Sequence, residues 1–127
     1  MTARIVQQNL ADEFYTPERC YIIELDNTPG DPAVSVARAR VEPGVTTRWH
    51  RLLGVAERYY IVSGHGLMEI GDQAPQTVTA GDLVVIPAQS RQRVTNSGTE
   101  DLVFLAICTP RFTDAVYEDV DDDAAPD

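Results

Sequence analysis

His50 and Glu57 stand seven residues apart between Gly44 and Gly64, an imidazole and a carboxylate in one short polar interval. Such a pair can hold a divalent cation or pass a proton. A second stretch carries Gly81, Pro87, Gln89, Gln92 and Asn96, and it offers the neutral amide of Gln92 to the same site. Arg48 and Tyr59 flank the first pair. An inward guanidinium beside the site is either a clamp for a carboxylate or phosphate on a substrate, a partner for Glu57, or a rim group in water. Tyr59 is the candidate acid or base. His65 lies between Gly64 and Gly66 and reads as an exposed hairpin residue. The chain has no Gly-x-Ser-x-Gly elbow and only two histidines, so a Ser-His-Asp triad has no local support.

The elements that must position these groups are strands. From residue 20 onward short apolar or alternating runs are broken by Gly, Pro, Asn and Asp, the pattern of an all-β sandwich or barrel. Strands are expected at 20–24, 34–41, 46–52, 57–63, 66–70, 76–79, 83–86, 91–96 and 102–108. Residues 7–19 hold at most a short turn in a connecting arm. Alternation then assigns faces. Thr46, Arg48, His50 and Leu52 share one side of their strand, opposite Thr47, Trp49 and Arg51. Glu57, Tyr59 and Ile61 oppose Arg58 and Tyr60, while Gln92, Val94 and Asn96 oppose Arg91, Arg93 and Thr95. With these faces inward, His50, Glu57 and Gln92 converge, with Arg48 and Tyr59 nearby. Trp49 and Tyr60 then face outward, toward a subunit interface.

Composition narrows the function. The 127 residues fit one domain, and 43% hydrophobic content suits a folded chain. A net charge of -10 repels phosphate backbones, so nucleic acid is not an expected partner. All ten basic residues are Arg. Without lysine there is no Schiff base, no PLP attachment and no nucleotide-binding P-loop. No apolar run approaches the roughly 20 residues that cross a bilayer, and the N-terminus has no signal-peptide core, so no membrane role and a cytoplasmic address are expected. Cys20 and Cys108 lack CxxC spacing. Cys108 reads as a buried strand thiol or as a rim group near a ligand. Glu118, Asp119, Asp121, Asp122, Asp123 and Asp127 read as a solvated acidic tail, and Phe112 and Tyr117 as residues that lie back across the barrel.

Over roughly residues 34–110 the two stretches resemble the two motifs of the cupin superfamily. Gly44, His50, Glu57 and Gly64 match the first motif, with Leu52 in place of its second histidine. Gly81, Pro87 and Asn96 match the second, with Gln89 in place of a glycine and Gln92 in place of a histidine. The resemblance implies an all-β, double-stranded β-helix or jelly-roll barrel. It implies one cupin domain over 1–127, with a core at 34–110, an arm at 1–33 and an acidic tail at 111–127, and a homodimer.

In metal-bearing cupins the corresponding positions hold Fe, Mn, Ni or Zn. Here the resemblance leaves His50, Glu57 and Gln92 as a reduced ligand set. Substrate contacts would come from Arg48, Tyr59 and Gln92. The expected function is a small-molecule site that binds or acts on a small acidic or hydroxylated compound. Enzymatic chemistry would be that of a metal-dependent isomerase, dioxygenase, lyase or decarboxylase. The alternative is a metal-free, non-catalytic binding or sensor protein in which His50, Glu57 and Gln92 hydrogen-bond one another.

Overall fold

The structure, a computed structural model, is described here for residues 1–121. Eleven strands follow two sheets. They are β1 (Phe14–Tyr15), β2 (Tyr21–Asp26), β3 (Ser35–Val41), β4 (His50–Leu52), β5 (Ala56–Ser63), β6 (His65–Ile70), β7 (Gln76–Thr79), β8 (Leu83–Ile86), β9 (Gln92–Asn96), β10 (Leu102–Thr109) and β11 (Tyr117–Asp119). One sheet runs β1-β2-β3-β10-β5-β8 and the other β11-β4-β9-β6-β7, all pairs antiparallel. This is the expected jelly-roll barrel. Val41, Ile61, Met68, Ile86, Val94, Leu102 and Phe104 pack between the sheets. Each such side chain contributes roughly 1.5–3 kcal/mol of burial.

The period-two pattern holds in β5 and β9. Glu57, Tyr59 and Ile61 are buried, as are Gln92, Val94 and Asn96, while Tyr60 is exposed. The Asn96 amide is fully occupied: it donates to Val41 O and Glu100 O, both at 2.8 Å, and accepts from Gly98 N at 2.9 Å. Between β5 and β6 the chain turns at Gly64 with φ +90°. A β-carbon there would stand 2.5 Å from Asp101 O, so both the backbone angle and the space demand glycine.

Three expectations need correction. The strand expected at 46–52 shrinks to β4. Thr47 N donates to Val94 O at 2.9 Å, but Arg48 N turns away to Glu18 O at 3.2 Å, so the alternation breaks. Thr47, placed outward by the pattern, is buried. Trp49 is half-buried under the guanidiniums of Arg91 and Arg93, each 4.5 Å from its ring. Second, the arm is part of the sheet system: β1 pairs with β2, and Glu13 binds Arg40 through 2.6 and 2.9 Å contacts. Third, the acidic tail begins inside the fold. Glu118 accepts from Arg51 and Asp119 from Arg48, both at 2.6 Å, and Asp121 caps Trp49 N at 3.2 Å. Asp122, Asp123 and Asp127 lie outside the described residues.

Candidate functional site

Register places the polar cluster. In the β4–β9 pair His50 is directly opposite Gln92, and in the β5–β10 pair Glu57 is opposite Cys108. Cross-strand partners put their side chains on one face within contact range. The inward faces of β4, β5, β9 and β10 therefore bring His50, Glu57, Gln92 and Cys108 to one end of the barrel. All four are at least nine-tenths buried.

Each is held by specific bonds. Gln92 Nε2 donates to Glu57 Oε1 at 2.8 Å, and the Cys108 thiol stands 3.6 Å from Glu57 Oε2. Gln92 Oε1 is a buried acceptor with no partner among the described residues. His50 Nδ1 lies 2.8 Å from Arg48 O, and its Nε2 lies 3.0 Å from Oε1 of Glu18, a residue of the arm. Tyr117 of β11 stacks on the imidazole at 5.2 Å.

Burial dominates the electrostatics. It pushes the Glu57 carboxyl up to about 7; the neighbouring Glu18 adds to the rise, while His50 and the Gln92 amide oppose it. Glu18 is raised by burial against the pull of His50. Cys108 and Cys20 are both raised, Cys20 to about 12, so neither thiol is a ready nucleophile near neutral pH.

Glu57, Glu18 and Cys108 open onto a cavity of roughly 530 Å³. Its apolar wall comes from Phe14, Ile22, Ala37, Ala106, Phe112 and Tyr117. At the rim stand Glu24, Asp114 and Asp119. A cavity of this size and mixed lining is what small-molecule sites have.

The expected site residues separate into two groups. His50, Glu57 and Gln92 come together. Of these only Glu57 lines the cavity, and neither Arg48 nor Tyr59 does. Arg48 binds Asp119 through Nε at 2.6 Å and Nη2 at 3.4 Å, because its backbone has left the strand that would have aimed it inward. Tyr59 packs on Phe104 at 4.2 Å within the core, and burial and Glu57 raise its phenol well above the usual range. Cys108 is the buried strand thiol of its first reading, and it lines the cavity wall rather than standing at an exposed rim. Two contributors were not foreseen. Glu18 carries no spacing signal that ties it to His50. Phe14 lies in β1, a two-residue strand too short to show any alternation in sequence.

The donor set fits a divalent ion poorly. Both ring nitrogens of His50 are engaged, Leu52 packs with Val55 and Cys108 in a separate apolar cluster, and Gln92 offers only an amide oxygen. Among the described residues no three His, Cys, Asp or Glu side chains are grouped to hold a metal. Nor is any helix there long and apolar enough to cross a membrane.

Comparison with known proteins gives the same architecture. The family model described as the cupin domain matches residues 37–108. An uncharacterized protein of Methanocaldococcus jannaschii is 33% identical over 79 residues, 62% of either chain. An oxalate-binding protein of Thermotoga maritima is 33% identical over 72 residues, 56% of this chain and 58% of that one. The matched region thus spans about three fifths of the length of these curated relatives. The structure of KdgF from Halomonas sp. superimposes with a TM-score of 0.78 at 16% identity, covering 90% of this chain and 99% of the other.

Proposed function

The chain belongs to the cupin domain family, and on that premise we propose that its cavity binds a small organic molecule without a resident divalent ion, with Glu57 as the group that exchanges a proton with the ligand. The observation that carries this reading is the state of Glu57. It is a buried carboxylate on the wall of the cavity, held at Oε1 by Gln92 and raised to about 7 by burial. A carboxyl near neutrality is populated in both protonation states, which is what a general acid or base requires. The acid–base part first assigned to Tyr59 passes to Glu57 here, because the phenol sits in the core. The cavity favours a neutral hydroxylated or positively charged compound over an acidic one, since Arg48 is drawn to Asp119 at the rim.

The likeness to an oxalate-binding protein supports small-molecule binding as the general role. A homodimer and a cytoplasmic address belong to the same proposal. Support for the dimer comes from Tyr60, Val62, Leu83 and Val85, which stand exposed on β5 and on the edge strand β8.

Elemental analysis of gently purified protein is the test, together with His50→Ala and Glu57→Ala variants and a small-molecule screen with and without chelator. Metal-free protein that binds ligands equally in both conditions supports the proposal. A stoichiometric Fe, Mn, Ni or Zn ion that disappears in both variants would overturn it and restore the metal-dependent enzyme.

A further inference from the structure

Resting on the cavity as a small-molecule site, we infer that its ligand is an organic cation, a protonated amine carried on an apolar body. The first argument is charge balance. Glu18 and Glu57 both face the cavity, and the single imidazole of His50 is the basic group between them. Among the described residues no arginine lines the cavity, and the chain has no lysine to supply one. A buried carboxylate without a counter-charge is costly, and with His50 engaged by the partly buried Glu18, no basic group among the described residues of the cavity is left for Glu57.

The second argument is an under-occupied acceptor. Glu57 is 7% exposed, and while Gln92 donates to Oε1, Oε2 faces among the described residues only the Cys108 thiol at 3.6 Å. A thiol is a weak donor. An ammonium N–H would complete this oxygen with a charge-assisted bond.

Shape and field agree. Glu24 and Asp114 stand at the rim beside Asp119, whose charge Arg48 offsets, so the entrance carries an excess of negative charge that favours cations over anions. The rings of Phe14, Phe112 and Tyr117 offer an apolar wall and π faces for the body and the charge of such a ligand. An anionic ligand would place its charge beside the buried carboxylate of Glu57, with His50 already engaged by Glu18. A neutral alcohol would leave the deficit in place.

Three probes of similar size separate the possibilities: benzylamine, benzyl alcohol and benzoate. They are titrated into chelator-treated protein at about pH 8, where Glu57 is ionised, and followed by the amide resonances of Glu57, Cys108 and Tyr117. The expected result is that benzylamine binds at least about tenfold more tightly than benzyl alcohol, as a charge-assisted bond implies, and that benzoate does not bind. Glu57→Gln should lower amine affinity by about tenfold and leave the alcohol unchanged. Glu18→Gln serves as the second variant and should also erode the amine preference. Should both variants misfold, the wild-type ranking decides by itself. Benzyl alcohol or benzoate binding in the cavity as tightly as benzylamine overturns the charge assignment and leaves the cavity reading intact. No shift at those three residues with any probe overturns both.

Discussion

His50 Nε2 lies 3.0 Å from Glu18 Oε1, so the arm that precedes the barrel is latched onto the buried imidazole of the site. A carbonyl oxygen only accepts, so the 2.8 Å contact with Arg48 O means that His50 Nδ1 carries a proton. Nε2 and Glu18 Oε1 must then share one more. The pair is either imidazolium and carboxylate or imidazole and carboxylic acid, and Nε2 is covered in both forms. Further bonds seat the latch: Arg48 N donates to Glu18 O, and Arg19 Nη1 donates to Thr46 O at 3.3 Å.

The latch predicts the reactivity of the two histidines. Diethylpyrocarbonate acylates accessible imidazole nitrogen. His65 is exposed, whereas His50 is 3% exposed and capped by Glu18. The wild-type protein should take one carbethoxy group, at His65. Glu18→Ala should take a second at His50, read by peptide mass spectrometry. Equal modification of both histidines in the wild type would mean that the arm does not close on the site.

Glu57 sets a pH dependence of stability. Its folded carboxyl is raised from 4.5 to about 7, so between those values the folded state holds the proton more tightly than the unfolded chain. The contribution of Glu57 is therefore full below about pH 4.5 and is lost as pH rises through 7, by on the order of 3 kcal/mol for a shift of this size. Glu57→Gln removes the titrating group while keeping the shape. Its melting temperature relative to wild type should increase from about pH 5 to about pH 8. A difference that stays flat, or that runs the other way, would show that Glu57 is ionised in the folded protein throughout.

Much of this site was legible in sequence, and its failures have specific causes. Glu57, Tyr59 and Ile61 alternate cleanly because β5 is paired on both sides, with β10 and β8, and a central strand cannot deviate from period two. Around Arg48 the backbone is free of such pairing: its N–H bonds the arm rather than a sheet neighbour, and the side chain swings to Asp119. Period-two reasoning has no access to a bond made by a residue 30 positions upstream. Glu118 and Asp119 were misread for the converse reason. An acidic run is normally solvated, but here arginines at 51 and 48 on the adjoining segment neutralise it. Tyr117 did return across the barrel as expected, because an aromatic ring ahead of the charges had an imidazole to cover.

The substitution at position 89 is the departure whose consequence is most directly measurable. The cupin motif carries glycine there, and this chain carries glutamine, yet the backbone keeps φ +72°. A residue with a β-carbon in that region costs about 1–2 kcal/mol. The glutamine returns part of the cost locally. Its side-chain Oε1 accepts from Gly54 N, whereas the backbone bond from its N–H to Leu52 O at 3.0 Å is open to any residue there. Gln89→Ala keeps the strained backbone and discards the side-chain acceptor, so it should be the least stable of the three. Gln89→Gly discards the acceptor but relaxes the backbone, and it should exceed the alanine variant by about 1 kcal/mol, or about 4 °C in Tm. Thermal unfolding of the three proteins checks the order. An alanine variant as stable as the glycine variant would show that the loop can leave the left-handed region, and that the glycine of the motif was never required here.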